Sequence, residues 1–127
     1  MITLITGATS GFGRAIALKF AEHGSDLIIT GRRKGKLEEL EHIIKDTYDV
    51  KVFSLCFDVR NHEAVKEELE SVPHFWKEID VLVNNAGISI DGLMLRAKDD
   101  DWDAVLDTNL KGSFMCARAA LKTMLRR

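Results

Sequence analysis

Gly7, Gly11 and Gly13 stand in the stretch Leu4-Ile5-Thr6-Gly7-Ala8-Thr9-Ser10-Gly11-Phe12-Gly13-Arg14, where an apolar run gives way to glycine and at once to a helical pattern. Residues of this kind at this spacing hold a phosphate. Glycine brings the backbone close to an anion with no Cβ in the way. The first N–H groups of the next helix have no partner inside it, so they point at the anion with the positive end of the helix dipole behind them. The other polar groups that stand out are Arg32-Arg33, Asp58-Val59 and Asn84-Asn85-Ala86-Gly87. Each has a plainer use when taken alone. The glycines could be an ordinary strand-to-helix joint, the arginines with Lys34 and Lys36 a solvated basic patch, Asp58 a cap and Asn85 a turn residue.

The surrounding elements decide whether these groups meet. Ile2 to Thr6 reads as a strand buried on both faces, and Phe12, Ile16 and Phe20 as the stripe of a helix ending at Gly24. Leu27-Ile28-Ile29-Thr30 is a second strand, followed by a helix on Leu37, Leu40 and Ile44. Val50 to Phe57 gives a third strand, with Asn61 as N-cap of a helix through Val65, Leu69 and Val72 that Pro73 stops. Val81-Leu82-Val83 is the fourth strand. After a loop through Ser89, Asp91 and Gly92, Asp99-Asp100-Asp101 opens a last helix that Arg126-Arg127 closes, both signs matching the dipole. Strands alternating with helices predict an α/β fold with a doubly wound parallel sheet, one domain over 1–127 with no linker inside it. Ligands of such sheets bind outside the carboxyl ends of the strands, beside the first strand–helix turn. The glycine loop, Arg32-Arg33, Asp58 and Asn84-Asn85 all fall at those ends, so the expected ligand is a dinucleotide with its pyrophosphate on the loop.

About 20 residues past the loop, a unit that binds NAD carries an acidic side chain for the ribose hydroxyls. This chain has Gly31 there, then Arg32 and Arg33. A 2′-phosphate would gain charge-assisted hydrogen bonds from either guanidinium, so NADP is expected over NAD. Composition is compatible with that and narrows little else. With 18 Lys and Arg against 20 Asp and Glu in 127 residues, the formal charge of -2 implies no polyanion, and nucleic acid is not an expected partner. Cys56 and Cys116 lie far apart in apolar settings, and the four histidines have no companions at ligand spacing, so no metal site is expected. A start that runs straight into a strand, with no apolar run of spanning length, is read as a cytoplasmic protein with no membrane partner.

These residues resemble the short-chain dehydrogenase/reductase family over the whole chain. Thr6 to Gly13 is similar to its TGxxxGxG loop, Asp58-Val59 to its adenine-contacting pair, and Asn84-Asn85-Ala86-Gly87 to its NNAG motif. Up to about residue 85 the similarity is to NADP-dependent 3-hydroxy acid (serine) dehydrogenases, through the GATxGFG loop and the TGRR after the second strand. From Asn85 onward, Gly92-Leu93-Met94-Leu95-Arg96 and the run Trp102 to Leu110 look more like 3-oxoacyl-carrier-protein reductases. The resemblance implies a Rossmann-like sheet of order 3-2-1-4, truncated after about four strands. Its cofactor-binding residues would be Gly7, Thr9, Ser10, Gly11, Phe12, Gly13, Arg32, Arg33, Asp58, Val59, Asn85, Ala86 and Gly87.

The chemistry that the resemblance implies is hydride transfer between NADP(H) and a carbonyl or alcohol, run by an Asn-Ser-Tyr-Lys set. Asn109 matches the Asn. The only tyrosine is Tyr48, position 52 is Val52, and so no Tyr-x-x-x-Lys pair is present. The family's Ser follows a fifth strand that these residues do not include. Without a general acid, about a hundred- to ten-thousandfold of rate is lost, so the chain alone is expected to bind NADP weakly and to turn nothing over. Two other readings stay open: an engineered or chimeric half-fold scaffold without ligand function, and one half of a split oxidoreductase. The last helix carries a stripe of Trp102, Leu106, Asn109, Leu110, Phe114, Ala117, Leu121 and Met124, widened by Val105, Met115, Cys116, Ala119 and Ala120. A helix apolar on more than one face is buried on more than one side. The corresponding helix makes the dimer contact in the family, so a homo-oligomer is expected through residues 102–125, or through the open edge of the strand at 81–84.

Overall fold

The computed structural model describes residues 1–9, 11–86, 99–100, 103 and 106–124. Four strands form one parallel sheet: β1 (Ile2–Ile5), β2 (Asp26–Gly31), β3 (Val52–Cys56) and β4 (Val81–Val83), in the order β3-β2-β1-β4. In register, Leu4 lies beside Ile28 and Leu82, and Ile28 beside Phe53. The β-branched and leucine-rich strands have no polar face because both faces are covered. Ile5, Leu27 and Ile29 point to one side, against Ala17 and Ala21 of α1 (Gly11–Glu22) and Leu37, Leu40 and Ile44 of α2 (Lys34–Thr47). Leu4, Ile28 and Leu55 point to the other. There they meet Val65 and Leu69 of α3 (His62–Glu70), Trp76 of a 3₁₀ turn (His74–Lys77) and Cys116 of α4 (Gly112–Met124). This is the doubly wound arrangement that the alternation of elements implies.

The buried face of α1 differs from the expected stripe. Gly13, Ala17 and Ala21 face the sheet, Ile16 and Phe20 pack at its margin, and Phe12 is 83% exposed. The helix starts so close to β1 that only small side chains fit between them. On α3 the expected cap is present, with Asn61 Oδ1 accepting from the Ala64 N–H at 3.2 Å. That helix stops at Glu70, and Val72 is buried just beyond it, before Pro73. β3 is shorter than the expected 50–57, although the Phe57 N–H still reaches the Gly31 carbonyl at 3.1 Å.

The last helical segment is not one regular α-helix. Leu106–Lys111 is a π-helical stretch leading into α4. Its wider turn shifts the phase of α4 relative to a regular helix. The core face of α4 is Gly112, Cys116 and Ala120, with Met115, Ala119 and Met124 half-buried against α3 and its neighbours. Leu110, Phe114 and Leu121, which belong to the expected stripe, are 68%, 58% and 48% exposed. Cys116 and Ala120, expected only to widen the stripe, therefore make the core, while Leu110, Phe114 and Leu121 of the stripe face outward. Trp102 of the stripe lies outside the described residues, as do Ser89, Asp91, Gly92 and Arg126-Arg127. Among the described residues no helix is long and apolar enough to cross a membrane.

Candidate dinucleotide-binding site

The carboxyl ends of the four strands bring the selected residues to one edge of the sheet. After β1 the chain turns at Gly7 and Gly11, both left-handed with φ of 63° and 54°, where an L side chain would be strained. Gly13 is glycine for want of room. A Cβ there would lie 2.0 Å from the Gly7 carbonyl oxygen and 2.5 Å from Asn85 Nδ2. Around Gly11 the space is open. The first turn of α1 holds no acidic side chain to oppose an anion at its leading N–H groups, which lack partners inside the helix. These are the features a phosphate cradle needs: a backbone that can be approached, unpaired donors, and a rigid base.

The base comes from β4. Asn85 donates from Nδ2 to the Gly7 carbonyl at 3.1 Å, and the N–H groups of Asn85 and Ala86 both donate to Thr6 Oγ1, at 3.1 and 3.0 Å. Thr6 in turn donates to the Val83 carbonyl at 3.4 Å, and its own N–H reaches the same oxygen at 3.1 Å. On the other flank, the Ala8 N–H donates to the Thr30 carbonyl of β2 at 3.0 Å. Asn85 and Ala86 thus clamp the glycine loop to β4. Thr6, not singled out from the sequence as a site residue, is the hub of that clamp. Its place at the end of a buried strand, as the Thr that opens the TGxxxGxG-like stretch, is the signal the sequence offers for it.

At the end of β2, Gly31 is followed by Arg32 and Arg33, both exposed. Arg32 Nη1 stands 4.0 Å from Asp58 Oδ2, with the Arg32 side chain 59% exposed. Arg33 is the extended N-cap residue of α2 and makes no side-chain cap bond. Asp58 is gripped by Arg60, whose Nη2 donates at 2.8 Å, whose Nε donates to both carboxylate oxygens, and whose backbone N–H adds a bond at 2.9 Å. Partial burial pushes the Asp58 carboxyl upward. The Arg60 bonds and the charges of Arg60 and Arg32 outweigh it and hold the group below its usual range. The sequence does not mark Arg60, although its place two residues after Asp58 allows the local ring that forms. Val59 turns into the core, 7% exposed, so its side chain faces away from the crevice. Thr9 packs over Gly31, and Phe12 projects to solvent from the start of α1.

Asn109 lies in the π-helical stretch, one turn before Ser113, whose hydroxyl donates to the Asn109 carbonyl at 3.0 Å. Asn84 Nδ2 reaches the Ser113 carbonyl at 3.4 Å, which ties the end of β4 to this turn. Helices with a π turn often carry functional groups there. Ser10 and Gly87 lie outside the described residues.

The short chain dehydrogenase family model matches residues 1–127. The chain belongs to the short-chain dehydrogenase family. It is 45% identical over 129 residues to the NADP-dependent 3-hydroxy acid dehydrogenase of Salmonella typhi, covering 100% of this chain and 50% of that protein. It is 42% identical over 124 residues to the 3-oxoacyl-[acyl-carrier-protein] reductase of Staphylococcus epidermidis, covering 97% of this chain and 50% of that one. Among solved structures, the closed form of serine dehydrogenase complexed with NADP+ superposes with a TM-score of 0.89 at 42% identity, over 100% of this chain and 50% of the other. The chain thus spans about half the length of the curated relatives it matches.

Proposed function

We propose that this chain binds NADP(H) and forms the nucleotide-binding half of an oxidoreductase that moves a hydride between that cofactor and a carbonyl or hydroxyl substrate. The observation that carries the cofactor is the end of β2, where Gly31 offers no carboxylate and Arg32 and Arg33 come next, exposed. Two relatives support the same choice, one being NADP-dependent and another complexed with NADP+. In this reading the N–H groups of the Gly7–Gly13 loop take the pyrophosphate, and Arg32 leaves its 4.0 Å approach to Asp58 for the 2′-phosphate. Asp58, kept ionised by Arg60, accepts from the adenine amino group. Bound nicotinamide would supply or accept the hydride. Of the residues that would handle the accompanying proton, these 127 hold Asn109 and no Tyr-x-x-x-Lys pair, so the isolated chain binds without turnover. A scaffold without ligand function would show no binding at all, and a split enzyme would gain activity on addition of a second chain supplying the Ser, Tyr and Lys.

The exposed Phe114 and Leu121 of α4, with Leu110 just before it, support self-association through that helix. Two free cysteines fit a reducing compartment, the cytoplasm in this proposal. The cofactor reading is tested by following NADPH fluorescence on titration. The variant Arg32→Glu/Arg33→Ala should lose NADP(H) affinity by about a hundredfold while sparing NAD(H), given about 1.5–3 kcal/mol for each charged hydrogen bond. Equal loss of both cofactors would overturn the assignment.

A further inference from the structure

The surface where β2 ends holds a close approach that the binding of a phosphate does not require. Gly31 is buried, and its φ lies outside the left-handed region, so it is not glycine for the sake of backbone conformation. What it provides is space for Thr9. A Cβ at position 31 would stand 2.9 Å from Thr9 Cγ2 and 3.3 Å from Thr9 Oγ1, with Leu37 Cδ2 behind it at an ordinary 3.5 Å. The two γ atoms of Thr9 occupy two of the three staggered positions on its Cβ. Rotation about χ1 empties only one of them, so every rotamer keeps a γ atom against position 31. The backbone cannot easily move away either, because the Ala8 N–H is bonded to the Thr30 carbonyl at 3.0 Å and the Gly31 carbonyl accepts from the Phe57 N–H at 3.1 Å.

We infer that Thr9 and Gly31 form a steric lock in which the phosphate loop itself excludes any side chain from the ribose-reading position of β2, so that Thr9 is a specificity-determining residue for the 2′-phosphated cofactor. This rests on the proposed binding of NADP(H) and deepens it. Position 31 is where an acidic group would accept from the 2′- and 3′-hydroxyls of an unphosphorylated ribose. Thr9 closes that option by packing, independently of the charge that Arg32 and Arg33 bring. Conversion to NAD(H) therefore needs two changes made together, an acid at 31 and a residue without γ atoms at 9.

The test has a packing arm and a binding arm. In the first, Thr9→Ala, Gly31→Ala and the double variant are compared by thermal denaturation. Gly31→Ala alone is expected to lower Tm by about 5 °C or more, as overpacking does, and the double variant to recover most of that loss. Strict additivity of the two changes would overturn the lock whatever the nucleotide. In the second arm, Gly31→Asp alone should weaken both NADP(H) and NAD(H), and Thr9→Ala/Gly31→Asp should bind NAD(H) at least about tenfold better than Gly31→Asp does. Gly31→Asp binding NAD(H) as well as the double variant would overturn the specificity role of Thr9. Failure of the parent chain to bind either dinucleotide would instead overturn the NADP(H) reading, leaving the packing arm to decide the lock by itself.

Discussion

Two buried threonines at the strand ends show how little the residue type alone decides. Thr6 Oγ1 accepts from two backbone N–H groups and donates to a third residue, whereas Thr30 Oγ1 is buried with no partner. Thr6→Val leaves the N–H groups of Asn85 and Ala86 without their acceptor and should cost about 1–3 kcal/mol. Thr30→Val removes an unsatisfied hydroxyl and should be neutral or mildly stabilising. Urea midpoints of the two variants check the contrast, and equal losses would refute it. Asp58 gives a second prediction. Its carboxyl is held below the unfolded value of about 3.9, so it contributes stability that is fully present above that pH and is lost as pH falls through the lower folded value. Asp58→Asn should therefore flatten the fall in the urea midpoint below about pH 4, while leaving the slope near pH 7 unchanged. The glycine loop itself was legible in the sequence because a buried strand precedes Gly7, Gly11 and Gly13 and a helical pattern follows them at once. Arg60 and the Thr9–Gly31 approach were not, since both depend on distances between atoms that spacing does not encode.

At the scale of elements, the four strands and the helices on Leu37, Leu40 and Ile44, and on Val65 and Leu69, could be read from period and caps because large apolar residues mark their buried sides. The two misread faces share one cause. On α1 the large residues Phe12, Ile16 and Phe20 suggested the buried stripe, but the residues buried against the sheet are the small Gly13, Ala17 and Ala21, and at Gly13 the Gly7 carbonyl leaves no room for a Cβ. In the last helical segment the same preference for size selected Leu110, Phe114 and Leu121, whereas on α4, after the π-helical stretch, Gly112, Cys116 and Ala120 face inward. That phase makes a chemical prediction. Cys116 is fully buried on the core face, and burial pushes its thiol up to about 11, whereas Cys56 is exposed at the end of β3. Since the thiolate is the nucleophile, a thiol reagent at about pH 8 should label Cys56 rapidly in the native protein and reach Cys116 only in denaturant. Rapid labelling of both would mean that α4 presents its other face to the sheet.

For the whole molecule, the parallel order β3-β2-β1-β4 leaves β4 paired through Val81–Val83 to β1 alone among the described residues, and all three of its side chains are only half-buried. The outward face of α4 adds Phe114 and Leu121 at 58% and 48% exposure, with Leu110 of the preceding π-helical stretch at 68% and the Arg118 guanidinium lying 5.2 Å from the Phe114 ring centre. Apolar residues scattered singly are normal on a surface. Phe114 and Leu121 differ in standing seven residues apart on one face of α4, with the exposed Leu110 just before them in the π-helical stretch. Fully covering one such side chain gives about 1.5–3 kcal/mol, so two copies of the stripe meeting one another provide a substantial drive toward association. The core face of α4 is separate, being occupied by α3 and its neighbours. Substitution on the outer face should therefore prevent the proposed self-association without unfolding the chain. Light scattering at high concentration is expected to give a dimer or larger for the parent and a monomer for Phe114→Gln/Leu121→Gln, with unchanged circular dichroism. A parent that stays strictly monomeric would reject association through α4, and a variant that still associates would move the contact to the open edge of β4.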